Sequence, residues 1–350
     1  MGKRSEGVHN AKQLSFRAGG AFATKKHRRL HFAEYSRTIA LLGLTLGAVE
    51  ESTDWMVEVF VVFLIAGATK PGTLANYRAA LTVIHSMAGK DVSNATSSHA
   101  LKLERRDRSG KHCACPQERF AMLLQLAIEL DEGVFHVIRL MRWLGLRMLE
   151  ALRSGRSLEA WRELILSGNL RLPVTYGSKN GRLRRTEVLE AHVPETLAAI
   201  EAALKFCRLR NFELVTGCHN DLESAKSRLK AFFERLPMRG KFASHSLRYR
   251  YAVDFANAAL DKGIGPVDVL TMLSDRLGHG PSRAKMILDV YCHEIRHRFP
   301  PKMKLPADFS PRPRRNAKGT ESLPRANTGD NRRGNRVRKA PLLRRPRNIR

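Results

Sequence analysis

The stretch of this chain best suited to chemistry is Ser244-His-Ser-Leu-Arg-Tyr-Arg-Tyr-Ala-Val253. His245 and Arg248 are three residues apart, so on a helix they share one face. A histidine beside an arginine suits a phosphodiester. The guanidinium offers a planar fork to two non-bridging oxygens, and the imidazole can move a proton near neutral pH. Taken alone, a His-x-x-Arg pair is more often a solvated helix face. Other groups accompany it in a fixed order. Downstream come Arg276-Leu-Gly-His279 and Leu288-Asp-Val-Tyr291; upstream lie Leu144-Gly-Leu-Arg147-Met-Leu-Glu150 and Ser178-Lys179-Asn-Gly-Arg182-Leu-Arg184. Each has a plain reading in isolation. Arg147 could be a surface arginine, Lys179 one of several basic turn residues, and Tyr291 a core aromatic aligned with Ile287 and Ile295.

These residues need elements to hold them, and the apolar spacing supplies mostly helices. Phe32, Tyr35, Ile39, Leu42 and Leu46 recur at helical intervals, predicting a helix over 31–50. A second starts at Thr53 or Asp54 and runs to Ala66, and a third covers 73–87, with Gly89 as its stop. Together they make a bundle over 31–103. The charged run Glu104-Arg-Arg-Asp-Arg-Ser-Gly-Lys-His-Cys-Ala-Cys-Pro116 reads as a linker. Helical patterns resume over 117–130 and 133–153. Short strands are predicted at 164–165, 170–176 and 184–189, the last two joined by a Gly/Ser/Asn-rich turn. Helices then return over 194–208, 221–235, 246–262, 266–276 and 282–293. The fold class is therefore mainly α with a small antiparallel β-sheet (α+β), in two domains at 31–103 and 117–300.

Charge narrows the partner. The 350 residues hold 62 Lys+Arg against 33 Asp+Glu, a net charge of +29. Residues 1–30 carry +7 and residues 301–350 carry +13, so the middle carries only +9. The last fifty residues, rich in Pro, Asn and Arg, read as a disordered basic tail, and residues 1–30 as a second. The longest apolar run, from Val59 to Ala68, is far short of the ~20 residues that span a bilayer. No signal peptide opens the chain, and five cysteines are too few for a disulfide scaffold. A soluble cytoplasmic protein that binds a polyanion, nucleic acid first, is expected. His112-Cys113-Ala-Cys115 invites a metal reading with Cys207, Cys218, His219, Cys292 or His293, but no Cys-x-x-Cys pair exists and the spacings fit no common zinc site. Gly177-Ser-Lys179 is no Walker loop, and clustered carboxylates for two-metal chemistry are missing from the sequence pattern.

Arg147, a hairpin Lys179, His245-x-x-Arg248, Leu-Gly-His279 and then Tyr291, in that order, resemble the tyrosine recombinase (phage integrase) family. Gly72-Thr-Leu-Ala-Asn-Tyr-Arg-Ala-Ala-Leu81 is similar to part of that family's helical core-binding domain, which would precede the catalytic domain. The resemblance covers about residues 30–296. Two gaps depart from the family pattern: Arg248 to His279 is about eight residues longer and His279 to Tyr291 about three longer, which extra loop near Gly263–Pro266 or Gly280–Ser282 could absorb. Tyr249 and Tyr251 are poorer candidates for nucleophile, since they lie inside the His-x-x-Arg helix.

The resemblance implies a prokaryotic, nucleoid-associated enzyme that cuts double-stranded DNA. Tyr291 would attack phosphorus and leave a 3′-phosphotyrosyl link, and Arg147 and Arg248 would clamp the phosphate. His245 would accept the phenol proton, Lys179 would protonate the leaving 5′-oxygen, and His279 would hydrogen-bond a non-bridging oxygen. Glu150 would orient Arg147. Arg78, Arg105, Arg106, Arg108, Lys111, Arg182 and Arg184 are the expected DNA contacts. Four protomers on two DNA sites, with accessory DNA-bending proteins where needed, would exchange strands without metal, cofactor or membrane. A type IB topoisomerase or a decayed, non-catalytic DNA-binding protein are the alternatives.

Overall fold

The structure is a computed structural model and describes residues 2–103, 112–178, 183–219 and 221–305. Its first part is a bundle of α1 (Lys3–Arg17), α2 (Phe22–Leu41), α3 (Asp54–Ala66), α4 (Pro71–Met87) and the short α5 (Ser93–Thr96). Local sequence explains the ends. Thr53 caps α3 by accepting the Met56 amide at 3.3 Å, and Pro71, with no amide hydrogen to satisfy, opens α4. Phe32, Tyr35, Ile39, Phe60, Leu81 and Ile84 are buried in one apolar core.

Two expectations for this part are corrected. Residues 1–30 are not a loose tail: residues 3–17 are helical, Ala11 and Leu14 are buried in the bundle core, and Asn10 accepts the Val49 amide at 3.1 Å. Val8, Ala11 and Leu14 carried that signal at helical spacing, but the lysines and arginines around them hid it. The helix expected over 31–50 instead spans Phe22–Leu41; beyond it the chain turns through Gly43, whose φ is +77°, while Leu46 and Val49 stay buried.

The second part holds α6 (Gln117–Leu130), α7 (Glu132–Leu144), α8 (Met148–Leu152), α9 (Leu158–Leu166), β1 (Arg171–Val174), β2 (Arg184–Glu187), α10 (Val193–Arg208), α11 (Leu222–Arg235), α12 (Ser246–Asp261), α13 (Pro266–Arg276) and α14 (Ala284–Met286). A π-helical turn, Ile287–Tyr291, follows directly. The strands pair antiparallel with Val174 opposite Arg184 and Leu172 opposite Thr186. The helix expected over 133–153 breaks at Gly145, which ends α7 in the left-handed region with φ +56°. A side chain there would meet the Tyr251 ring at 2.4 Å, so glycine is required for space as well as for backbone. The strand expected at 164–165 is the end of α9, whose Leu158, Trp161 and Ile165 are buried at helical spacing. Two apolar clusters build this part. One gathers α6, α7, α9, the sheet, α10 and α11; the other gathers α12, α13 and residues 284–299. Among the described residues no helix is long and apolar enough to cross a membrane. The expected C-terminal tail beyond residue 305, and linker residues 104–111, lie outside the described residues.

Candidate active site

The site lies where the two clusters of the second part meet. Tyr291 closes the π-helical turn, and its ring is 4% exposed. The twelve residues from His279 to Tyr291 are taken up by a tight turn at Pro281–Arg283, then α14, then this wide turn. A π turn holds one residue more than an α turn, which redirects the side chain at its end. The Tyr291 hydroxyl lies 3.1 Å from Nε2 of His245 and 3.2 Å from Nε2 of His279. A phenol carries one proton, so it can donate to one imidazole and accept from the other. The Tyr249 ring stacks on Tyr291 at 4.5 Å, and the Arg248 guanidinium sits 5.9 Å from the Tyr291 ring centre.

Arg147 and Arg248 converge from different elements. Arg147 caps α8 and Arg248 lies in the first turn of α12. Both donate to the carbonyl oxygen of Leu277: Arg147 through Nη2 at 3.0 Å, and Arg248 also through Nη2. Arg248 donates from Nη1 to the carbonyl of Gly145, and its Nε is buried without a partner among the described residues. Two guanidinium groups that reach one oxygen can also reach one phosphate.

Glu150 ties this cationic group together. It is fully buried, accepts from Nη1 and from the backbone amide of Arg147, each at 2.7 Å, and receives Nε of Arg184 at 3.1 Å and Nη2 at 2.6 Å. Burial alone would raise its pKa, but the Arg184 hydrogen bonds and the charges of Arg184 and Arg248 outweigh that and hold it at about 2. His245 and His279 are each pushed down to about 3, first by burial and then by the Arg248 charge. Both imidazoles are therefore neutral at physiological pH.

Arg184 differs from its expected place. It is not an exposed DNA contact but is buried, with Nη1 on the Arg276 carbonyl at 2.5 Å. The two-residue strand period explains this: opposite Val174, position 184 faces inward and Arg185 faces outward. Gly278, at φ +66°, lets the Arg184 stem pass, since a Cβ there would meet its Cδ at 2.5 Å. Arg78 is also engaged internally, donating to the Thr96 carbonyl at 2.5 Å and to Ser98 at 2.8 Å. Lys179, Arg105, Arg106, Arg108, Lys111 and Arg182 lie outside the described residues. Beside Arg147 a cavity of about 140 Å³ opens, lined by Ser178, Leu183, Arg184, Asp275, Gly278 and Gly280, and the buried Ser178 hydroxyl has no partner among the described residues.

Solved structures that match with a TM-score of 0.50 share this fold. No curated protein matches the sequence. The Tn1549 transposon integrase bound to transposon right-end DNA matches with a TM-score of 0.50 at 15% identity, over 81% of this chain and 94% of that one. The same integrase bound to circular-intermediate DNA matches with a TM-score of 0.50 at 16% identity, over 81% and 95%. A lambda integrase tetramer bound to a Holliday junction gives 0.48 at 14% identity, over 78% and 76%. A family model described as Integrase matches residues 102–254. Over that stretch the sequence is similar to the integrase family.

Proposed function

We propose that this protein is a site-specific DNA recombinase that cuts and rejoins DNA through a covalent bond between Tyr291 and a 3′-phosphate, for integration or excision of a mobile element. The observation that carries the proposal is the Tyr291 hydroxyl, held between two neutral imidazoles beside two arginines that share one acceptor. The Tyr291 oxygen attacks phosphorus, the bond to the 5′-oxygen breaks, and the phosphoryl group passes to tyrosine. The phenol proton leaves to His245 and the 5′-oxygen takes a proton from Lys179. Arg147, Arg248 and His279 bind the non-bridging oxygens as they gain charge. An arriving phosphate also offsets the arginine charge that depresses His245, so the imidazole becomes a better proton acceptor when substrate is in place. A 5′-hydroxyl of the partner strand reverses the step. The phosphodiester energy is conserved, so no nucleotide cofactor enters the scheme.

The bundle and the catalytic part would hold duplex DNA as two domains, and four protomers on two sites would pass through a Holliday junction. The test is a nicked suicide substrate carrying the cognate site. The intact protein should form a covalent 3′ adduct, and Tyr291→Phe should form none. An undiminished adduct in Tyr291→Phe would remove Tyr291 as nucleophile. Binding of cognate DNA with no adduct from the intact protein would point to a non-catalytic DNA-binding protein.

A further inference from the structure

Residues 112–115 form a strap across the catalytic part. The Cys113 amide donates to the Lys241 carbonyl at 3.0 Å, the Cys115 amide to the Ser246 carbonyl at 3.1 Å, and the Ala114 amide to Oε2 of Glu294 at 2.9 Å. The strap therefore joins two places that matter to the site: the start of α12, with His245, and the segment just after Tyr291. At its centre a thiol, an imidazole and a carboxylate come together. One ligand atom each from Cys113, His293 and Glu294 lies within 4.8 Å of the other two.

We propose that Cys113, His293 and Glu294 bind a zinc ion that fastens the strap to the segment carrying the nucleophile. The donor set suits zinc, which takes cysteine sulfur, histidine nitrogen and carboxylate oxygen. Tetrahedral zinc with bonds of about 2.0–2.3 Å needs its donors roughly 3.3–3.8 Å apart, so small side-chain rotations close the site. Two of the three ligands are already held by neighbours. The Ala114 amide fixes the Glu294 carboxylate. His293 Nδ1 is 3.2 Å from the Val290 carbonyl, which can only accept, so Nδ1–H is the donor and the lone pair on Nε2 faces no competing proton. On binding, the Cys113 thiol passes its proton to solvent and coordinates as thiolate, and water completes the four ligands. Cys113 and Glu294 are far apart in sequence, which is why no ligand spacing shows in the chain. The ion would cross-link the strap to residues 293–294 and hold the two sides of the site together. The site is independent of the recombinase reading, because its binding test does not use DNA.

The test uses full-length protein and two probes, Zn²⁺ alone and Co²⁺ alone. One equivalent of Zn²⁺ should bind with roughly micromolar affinity or better and raise the unfolding temperature by several degrees. Co²⁺ should give thiolate-to-metal charge-transfer absorption with intense tetrahedral ligand-field bands. Cys113→Ser should abolish the thiolate absorption, and His293→Ala and Glu294→Gln should each weaken Zn²⁺ binding by about tenfold or more. Glu294→Gln keeps an acceptor for the Ala114 amide, so it separates metal binding from folding of the strap. Cys218→Ser, at the exposed Cys218-His219 pair, should change nothing. No binding by the folded protein, or thiolate absorption that survives in Cys113→Ser, would overturn the proposal.

Discussion

The bundle and the second part each bury a tyrosine in a hydrogen-bonded group that includes histidine, and the two groups differ in charge. In the bundle, Tyr35 pairs with the Ser52 hydroxyl, which also meets Nε2 of His85 at 2.9 Å, while His85 Nδ1 donates to the Leu81 carbonyl at 2.8 Å. Phe32 and Phe60 pack edge-on against the Tyr35 ring, and burial pushes the Tyr35 phenol up to about 12. Among the described residues no arginine belongs to that network. In the second part, Tyr291 stands beside Arg248, which shares the Glu150 carboxylate with Arg147 and Arg184. Three guanidinium groups against one carboxylate leave positive charge for an anion to neutralise. Buried tyrosine–histidine contacts are ordinary core chemistry, and it is the cationic frame that sets the Tyr291 group apart.

The largest effect should come from removing the one carboxylate. Glu150→Gln keeps the shape but leaves Arg184 and Arg248 buried without a counter-charge, which should cost roughly 3–5 kcal/mol in urea unfolding. A cost below about 1 kcal/mol would mean that the arginines do not depend on Glu150. Acid should come next. His245 and His279 lie near 3 in the folded protein against an ordinary 6.5, so the unfolded chain takes up protons that the folded site refuses. Their contribution is complete above pH 6.5 and is lost as pH falls from there toward 3, at about 1–2 kcal/mol per histidine by pH 5. Glu150 adds a loss in the same direction between 4.5 and about 2. The His245 and His279 resonances should not titrate between pH 7 and 5; an ordinary midpoint near 6.5 in the folded protein would contradict the cationic frame. The smallest effect belongs to the bundle. Tyr35→Phe should lower stability by about 1 kcal/mol and leave DNA cleavage unchanged, since that phenol only serves its neighbours.

Of the six proposed positions, Arg147, His245, Arg248, His279 and Tyr291 stand out in the sequence as an ordered set of residue types able to bind phosphate, move protons or form a bond, and Lys179 lies outside the described residues. Helices over 54–66, 117–130 and 266–276 were readable from apolar spacing, which a helix must bury. Three features were not. Residues 3–17 looked like a tail because charge dominates their composition, yet a few small apolar residues suffice to dock them. Arg184 looked like a surface cation because basic turns usually are, and only the pairing register aimed it inward. Cys113, His293 and Glu294 showed no ligand spacing because the chain joins them only after folding.

The amino-acid sequence by itself determined most of the helices, the hairpin and the cationic character, since propensity, periodicity and side-chain chemistry are local properties. Tertiary structure alone decided that Arg147 and Arg248 meet at the Leu277 carbonyl while Arg184 turns inward onto Glu150. It also fixed the two imidazoles on the Tyr291 hydroxyl and their depressed pKa values, because burial and charge fields arise only when distant segments pack together.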